Sequence, residues 1–329
     1  MATGPVNQRL RLQHLKFVIS VAEWGSMARA AKHLAVSQPV VSKVIADLEN
    51  MLGVPLFDRS SRGVEPTSYG RALLKRSIAL FDDLTTSVDE IKFMANPASG
   101  ELRIGSTEPL LAGPGAAVMK RLWQRYPGVN FRIVEADSAT LLNRDLPERH
   151  IELALVPLLS SFANKELDAT ILFKDRLCVV VGKKSPCAHR RGITLADLLD
   201  QPWCVAPSSV GTLLTDAIRA SNLNMPRVAF TTTTSHLLLQ LLESGEFVGH
   251  FGERLLQFFV DRFAVKILPI ELPVEPFAVA IVRVKNRSIS PLARLFIDCA
   301  REITEPLTKP RSVKRRGGKS ARRPTNVAG

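Results

Sequence analysis

The sequence predicts an α/β protein with an N-terminal winged helix-turn-helix, a long linker helix and a C-terminal part of alternating strands and helices. Three observations support this prediction. Residues 26–53 have the pattern of two capped helices joined by a tight turn, and residues 69–95 carry apolar side chains at heptad spacing without a proline. After residue 100, short apolar runs alternate with amphipathic helical runs, which favours mostly parallel sheets covered by helices on both faces.

The residues of the predicted helix-turn-helix have definite local roles. Ser26 is suited to cap the first helix, because its hydroxyl can accept a hydrogen bond from a backbone N–H that lacks a helical partner. A narrow apolar stripe then follows at spacings of three residues, formed by Ala28, Ala31 and Leu34. Ser37 is suited to cap the second helix, and Pro39 stands in its first turn, where a missing N–H costs nothing. The predicted buried face of the second helix consists of Val41, Val44, Ile45, Leu48 and Leu52.

The N-terminal turn of the second helix carries hydrogen-bonding side chains on its open face. Gln38 is suited to bidentate contact with adenine, Ser42 can pair with several base edges, and Lys43 can reach guanine or phosphate. A DNA-binding helix-turn-helix presents this end of its second helix to the major groove. Capped helix pairs also occur in all-α proteins that never bind DNA, so the flanking segments must decide between the two interpretations.

The flanks favour DNA binding. Upstream, residues 12–25 supply a third amphipathic helix, and downstream, residues 55–67 contain two short extended pieces around Arg62. This arrangement is typical of a wing, a small hairpin with a cation at its tip. Arg62 at such a tip could enter the minor groove or contact phosphate.

Residues 30–70, AAKHLAVSQPVVSKVIADLENMLGVPLFDRSSRGVEPTSYG, resemble the signature of LysR-type transcriptional regulators. The resemblance implies a DNA-binding domain, a dimerising linker helix, and an effector-binding domain of two Rossmann-like subdomains of periplasmic-binding-protein type. The candidate DNA-binding residues are Ser26, Arg29, Ser37, Gln38, Pro39, Ser42, Lys43 and Arg62. In the mechanism that the resemblance implies, effector closes the cleft between the subdomains and alters contact with RNA polymerase.

The domain boundaries follow from changes in composition and pattern. The expected parts are the winged helix-turn-helix (1–66), the linker helix (67–96), the effector-binding domain (97–305) and a basic tail (306–329). Within the effector-binding domain, subdomain I is expected at about 101–170 and 270–305, and subdomain II at about 171–269.

The linker segment predicts a coiled-coil seam. Its heptad-spaced positions are Leu74, Phe81, Val88 and Ala95, with Ser77, Leu84 and Ile91 between them. A helix of about 27 residues is ~40 Å long, which is more than a winged domain of this size covers. A second copy of the chain is the simplest partner, giving a homodimer and, by the resemblance, a homotetramer. The alternative is a helix packed against its own C-terminal domain.

Polar residues follow several predicted strands of the C-terminal part. In open α/β sheets ligands bind at the carboxyl ends of strands, close to helix N-termini. The candidate effector-binding residues are therefore Ser106, Thr107, Asp137, Ser138, Pro207, Ser208 and Ser209. The alternative for each of them is an ordinary helix cap. The expected effector is a small polar or anionic metabolite whose identity the sequence does not reveal.

Charge and composition limit the choice of partners. The chain has 329 residues and a net charge of +13, and residues 306–329 hold eight Lys and Arg without an acidic residue. We expect this tail to be disordered, and either to attract phosphate or to be dispensable. No run of 18 apolar residues and no hydrophobic N-terminal signal is present, so we expect a cytoplasmic protein without a membrane span.

Enzymatic chemistry is not indicated. Four scattered cysteines form no CxxC motif, and neither GxxxxGK[ST] nor GxSxG occurs. We therefore expect no catalytic residues, no metal and no cofactor other than the effector. The expected partners are double-stranded DNA, further copies of the chain, RNA polymerase and a small metabolite. The alternative function is a small-molecule binding protein of the same two-lobed fold that does not read DNA.

Overall fold

The computed structural model describes residues 10–60, 63–95, 99–160 and 162–308. The described chain divides into two compact units. The first comprises residues 10–95 together with Arg287–Ser290, and the second comprises the remaining described residues. No helix in the described ranges is both long and apolar enough to cross a membrane.

The first unit is a winged helix-turn-helix followed by one long helix. Its elements are α1 (Leu12–Trp24), α2 (Met27–His33), α3 (Gln38–Leu52), β1 (Phe57–Ser60), β2 (Gly63–Pro66) and α4 (Ser68–Ala95). The three short helices enclose a core that includes the fully buried Val18, Val21, Ala30, Val41 and Ile45. The expected apolar face of α3 is confirmed, because Val41, Ile45 and Leu48 are buried.

The apolar stripe of α2 differs from the prediction by one position. Met27, Ala30 and Ala31 are buried, whereas Ala28 is exposed. Ser26 caps the helix, so Met27 occupies its first position and turns into the core. The buried side chains then recur at spacings of three and four residues, as on any helix face.

Hydrogen bonds fasten the wing to the helices. Oε1 of Glu49 on α3 accepts from the backbone N–H groups of Leu56 (2.7 Å) and Phe57 (3.1 Å) at the start of β1. The N–H of Val64 on β2 donates to the carbonyl of Gly25 (3.0 Å). The hairpin is antiparallel and its innermost described pair is Ser60 with Gly63. Both strands are therefore positioned by the helix-turn-helix itself.

The linker helix α4 has two differently covered halves. Near its start Leu73 and Leu74 pack against the winged core, and Ser77 is buried. Its later apolar side chains are exposed, namely Leu80, Leu84, Val88, Ile91 and Met94. Of the predicted seam, Leu74 and Ser77 are thus covered within the unit and Phe81 is half-buried. Leu84, Val88 and Ile91 are exposed.

The second unit contains two five-stranded sheets. Its strands are β3 (Ser99–Ser106), β4 (Gly128–Glu135), β5 (Leu153–Leu158), β6 (Leu167–Asp175), β7 (Leu177–Gly182), β8 (Trp203–Val205), β9 (Val228–Thr231), β10 (Val248–Gly252), β11 (Val265–Ile267) and β12 (Phe277–Val284). Its helices are α5 (Glu108–Leu110), α6 (Ala116–Arg125), α7 (Ser138–Thr140), α8 (Ser209–Ala220), α9 (Ser235–Glu243) and α10 (Pro291–Thr308). The unit also contains five short π-helical or 3-10 turns, namely Leu111–Gly115, Leu141–Asp145, Pro186–Ala188, Ala196–Leu198 and Leu255–Phe258.

The sheets define two lobes. The first lobe has the strand order β4-β3-β5-β12-β6, and the second lobe has the order β11-β7-β10-β8-β9. The chain passes to the second lobe at Arg176, between β6 and β7, and returns in the segment between β11 and β12. The first passage lies about five residues beyond the expected residue 170. The last helix continues through Thr308, three residues beyond the expected end of the domain.

The expectation of mostly parallel sheets holds for four of the five strands in each sheet, and one strand of each sheet, β12 or β7, runs against the other four. β3 runs parallel to β4 and β5, and β8 runs parallel to β9 and β10. However, β12 is antiparallel to β5 and β6, and β7 is antiparallel to β10 and β11. The cause is that the chain passes between the lobes twice. In the first lobe, β6 is the strand before the chain leaves, and β12 is the strand with which it returns. Because β12 lies next to β6, the two strands point in opposite directions.

The lobes have separate apolar cores. The second lobe packs around the fully buried Trp203, whose indole N–H donates to the carbonyl of Leu198 (2.8 Å). The first lobe packs around Leu141, Ile151 and Val282. The four cysteines are free thiols, and three of them are buried.

Candidate nucleic-acid interface and effector cleft

The N-terminal turn of α3 presents polar side chains to the outside of the first unit. Gln38, Pro39 and Lys43 are exposed, and Ser42 is half-buried. The amide Nε2 of Gln38 donates to Oγ of Ser42 at 3.1 Å, one helical turn further on. Gln38 and Ser42 are therefore held on one face, as contact with the edges of adjacent bases requires.

Ser37 does not cap α3 with its side chain, contrary to the prediction. It has the extended backbone of an N-cap (φ −79°, ψ 150°), but its hydroxyl makes no capping hydrogen bond. The second helical residue is Pro39, which has no N–H, and the N–H of the third, Val40, donates to the Ser37 carbonyl (3.1 Å). The exposed hydroxyl is left for another partner.

Ser26 and Arg29 lie at the start of α2. Oγ of Ser26 accepts from the Arg29 N–H at 3.5 Å, so Ser26 is a helix cap as predicted. The Arg29 side chain is exposed beside Trp24, Lys32 and His33. Lys32 adds a cation that was not among the residues predicted from the sequence.

The wing contributes a cation of its own. Arg62 lies outside the described residues. Arg59, on β1, is exposed three positions before it. Arg59 was not predicted from the sequence, because the sequence does not define where the strands begin and end. Without these bounds, the side of the hairpin on which Arg59 lies is unknown.

Two exposed valines border the polar turn. Val36 and Val40 are 37% and 43% exposed, whereas the neighbouring Val41 is buried. Exposed apolar groups beside Gln38 suit contact with the methyl group of thymine. The exposure of Val40 could be expected from its helical phase, since it lies about 100° around the helix from the buried Val41.

A cavity opens between the two lobes of the second unit, and its empty space, including the part open to solvent, is about 740 Å³. Predicted residues on its wall are Thr107, Asp137, Ser138, Ser208 and Ser209. Pro207 lines an adjoining open cavity, which shares four of these residues. The structure therefore brings six of the seven candidate effector-binding residues to one place.

Ser106 is the exception and corrects the prediction. Its side chain is completely buried, does not line either cavity, and donates a hydrogen bond to the carbonyl of Leu155 (2.5 Å) on the neighbouring strand β5. Alternate side chains of a strand point to opposite faces. The last residue of β3 points into the sheet packing, and the next residue, Thr107, reaches the cavity.

Helix capping and cavity lining coincide at two positions. The carboxylate of Asp137 accepts from the N–H (3.0 Å) and the hydroxyl (2.5 Å) of Thr140, and these hydrogen bonds lower the pKa of Asp137. Oγ of Ser208 accepts from the N–H of Gly211 (3.1 Å) at the start of α8. Ser138 differs from both, because its Oγ is buried and has no hydrogen-bond partner in the described part of the chain.

The second lobe supplies cavity residues that were not predicted from the sequence. They are Thr232, Thr233, Thr234, Ser235 and His250. The run of four threonines before a serine-initiated helix was their signal in the sequence. Nε2 of the buried His250 accepts from the Ala206 N–H (3.2 Å), and burial lowers the pKa of His250 to about 4. His250 is therefore a neutral acceptor at pH 7.

One carboxylate joins the two lobes across the cleft. Glu108, which directly follows Thr107 in the first lobe, accepts two hydrogen bonds from Ser235 at the start of α9 in the second lobe. The Ser235 N–H donates to Oε2 (2.7 Å), and the Ser235 hydroxyl donates to Oε1 (3.0 Å). The floor of the cavity is apolar and consists of Leu238, Phe251, Leu255, Phe277 and Val279.

Comparisons with known proteins agree with this architecture. Residues 12–71 match the family "Bacterial regulatory helix-turn-helix protein, lysR family", and residues 95–305 match "LysR substrate binding domain". The small neutral protease regulatory protein of Streptomyces coelicolor is 33% identical over 73% of this chain and 72% of its own length. The transcriptional regulator GbpR of Azospirillum brasilense is 28% identical over 90% of this chain and 87% of its own.

Solved structures show the same fold. A full-length OxyR variant from Pseudomonas aeruginosa superposes with a TM-score of 0.62 at 19% identity, covering 91% of this chain and 97% of that one. Full-length BenM gives a TM-score of 0.51 at 23% identity and covers 92% of this chain and all of its own. The chain belongs to the LysR family of transcriptional regulators, with a helix-turn-helix domain and an effector-binding domain.

Proposed function

We propose that this regulator reads a partly palindromic operator with the N-terminal turn of α3 and the wing, and that binding of a small molecule between its lobes switches its effect on transcription. The single observation that carries the DNA-reading role is the exposure of Gln38, Ser37 and Lys43 beside a wing fastened by Glu49. A solved structure of the related fold, CbnR, is a complex with its target DNA. Double-stranded DNA as the partner is consistent with action in the cytoplasm and with a role that is not catalytic.

Self-association is the second part of the proposal. The exposed stripe Leu80, Leu84, Val88, Ile91 and Met94 recurs at spacings of three and four residues along α4. Burying such a stripe against its counterpart in a second chain favours a dimer with two winged domains on two half-sites. Pairing of two such dimers on one operator, and contact with RNA polymerase, complete the mechanism proposed for the family.

Switching requires that the effector bind one arrangement of the two lobes with higher affinity than the other. The cavity between the lobes supports this role, because Thr107, Asp137 and Ser138 come from the first lobe and Ser208, Ser209 and Thr232–Thr234 come from the second. A ligand held by both lobes stabilises one angle between them.

The DNA-reading proposal is tested by a mobility-shift titration of the regulator on its own upstream intergenic DNA, at two salt concentrations. We expect Gln38→Ala to weaken specific binding about tenfold or more, while binding to unrelated DNA is unchanged, because a bidentate base contact contributes about 1–3 kcal/mol. Lys43→Ala is expected to lower affinity and, if Lys43 contacts phosphate, to reduce the salt slope by about 1.

The matched control is Asn50→Ala, an exposed residue near the other end of α3. It should leave specific binding unchanged. Equal affinities of wild type, Gln38→Ala and Lys43→Ala would contradict DNA reading by α3. The absence of any site-specific shift would instead favour the alternative function, a small-molecule binding protein of the same two-lobed fold.

A further inference from the structure

Negative charge is already present at the cleft between the lobes. The wall of the 740 Å³ cavity includes the carboxylate of Asp137, and no lysine or arginine is found among the described residues that line it. Asp137 remains ionised near neutral pH, because its hydrogen bonds to Thr140 lower its pKa. Arg144, in the following turn, pairs with Asp145 at 2.9 Å. A second anion in this cavity would find no lysine or arginine on its wall to neutralise it.

Two of the longer helices begin at the cavity wall: the start of α8 shares its part of the wall with Asp137, and the start of α9 is occupied by a carboxylate of the chain itself. Helix N-termini bind anions through their unpaired N–H groups and the positive end of the helix dipole. At the start of α9 the two donors of Ser235 are both taken by Glu108, at 2.7 and 3.0 Å. Glu108 therefore stands where the carboxylate of an anionic ligand would bind.

The remaining wall suits a ligand that is partly apolar and carries hydrogen-bond donors. Its floor is formed by aliphatic and aromatic side chains such as Leu238, Phe251 and Phe277, and its rim by threonine and serine hydroxyls. Oγ of Ser138 is buried on this wall without a hydrogen-bond partner in the described chain. Pockets of this kind bind through apolar contact and take their specificity from a few polar groups.

We infer that the effector is a small amphipathic molecule that carries no negative charge and donates hydrogen bonds, and is not a carboxylate. This inference rests on the proposed effector role of the cleft and narrows its ligand class. It replaces the sequence-based expectation of a small polar or anionic effector. An anion would have to displace the half-buried Glu108 from Ser235 or lie close to the exposed carboxylate of Asp137, and like charges at short range repel each other.

The inference is tested with three probes of similar shape, 2-phenylethanol, 2-phenylethylammonium and phenylacetate. Their binding to the full chain is measured by ligand-observed NMR titration at pH 7. We expect the alcohol and the ammonium to bind at least tenfold more tightly than phenylacetate. In the double variant Glu108→Gln with Asp137→Asn, phenylacetate should gain about fivefold or more, and the ammonium should lose affinity. Glu271→Gln removes an exposed acid outside the cleft and serves as the matched control.

A further variant establishes that the probes bind in the cleft. Thr233 is exposed and lines the cavity, so Thr233→Trp narrows it without disturbing a core, and it should weaken the alcohol and the ammonium. Phenylacetate binding as tightly as the alcohol to the wild type would overturn the inference and leave the effector role of the cleft intact. Unchanged discrimination between the probes in the double variant would overturn it as well.

A different set of outcomes would contradict both the inference and the cleft as an effector site. They are failure of every probe to bind, and binding that is insensitive to Thr233→Trp. Operator binding is measured separately, so neither outcome affects the proposed reading of DNA.

Discussion

Three serines with the same hydroxyl group have different roles in this chain, and their neighbours determine which. Ser208 caps α8, because the N–H of Gly211 lies within reach of its hydroxyl. Ser106 donates to Leu155 inside a sheet. Ser37 stands at an N-cap but faces Pro39, which has no N–H to offer, and its hydroxyl stays exposed. Residue type alone therefore predicts that a serine hydroxyl can form hydrogen bonds. The surrounding residues determine which partner it has.

His250 makes the stability of the second unit depend on pH. Burial lowers its pKa to about 4 in the folded chain, whereas an unfolded histidine titrates near 6.5. Between these values only the unfolded state takes up the proton. The contribution of His250 is thus fully present above about pH 6.5 and is lost as pH falls toward 4, by about 3 kcal/mol at most.

This dependence is checked by urea unfolding of the full chain at pH 7, 6 and 5, compared with His250→Gln. Glutamine keeps an acceptor for the Ala206 N–H but does not titrate. We expect the wild type to lose stability more steeply on acidification than the variant. Parallel losses in both proteins would show that His250 is not the titrating group.

Among the secondary-structure elements, the wing depends on the helix that precedes it. One carboxylate oxygen of Glu49 on α3 accepts both N–H groups at the start of β1. Gly25 accepts from Val64 on the other strand, and a side chain at Gly63 would come within 3.0 Å of the Gly25 carbonyl. The hairpin is short, and its place beside the recognition helix is set by these few contacts.

Glu49→Ala should therefore detach the wing without altering the surface of α3 that we propose reads DNA. Two backbone donors in a partly buried site lose their partner, so we expect a loss of about 2 kcal/mol in the stability of the first unit. Operator affinity should fall as well, because Arg59 and the tip of the wing lose their position. Thermal unfolding and the mobility shift measure the two effects, with Asn50→Ala as the control. Unchanged unfolding and unchanged affinity would refute the proposed coupling of wing and helix.

For the protein as a whole, we expect the association of two chains to depend on α4. This helix carries an apolar stripe that the first unit leaves exposed. Its first turns pack on the winged core through Leu73 and Leu74, but Ile91 and Met94 are 67% and 77% exposed. A stripe of this regularity favours association of two chains over exposure to water.

Introducing charge into that stripe should prevent dimerisation. We expect Leu84→Asp with Ile91→Asp to give monomers in sedimentation velocity at concentrations where the wild type is dimeric, and to lower operator affinity by reducing two half-sites to one. Thr85→Asp places the same charge outside the stripe and should leave the dimer intact. A double variant that sediments like the wild type would show that α4 is not the dimer interface.

In the second unit, some features could be predicted from the sequence and others could not. The alternation of strands and helices and the position of six cavity residues were predictable, because polar residues follow strand ends in sequence. Glu108 and Thr232–Thr234 were missed because their role depends on which lobes face each other. The antiparallel pairing of β12 was missed because it arises from a strand that returns to its lobe about 100 residues later.

The two lobes were expected from the resemblance to LysR-type regulators. Local pattern along the chain was enough to predict the helix-turn-helix, the face of α3 that stays in contact with solvent, the long linker helix and the α/β class. These features depend on periodicity and capping within a few residues. Three other properties became visible only in the folded chain: Ser106 is inside a sheet, His250 is neutral at the cleft, and Glu108 occupies the start of α9. They arise from contacts between residues far apart in sequence, with 127 positions separating Glu108 from Ser235, and local pattern carries no information about such contacts.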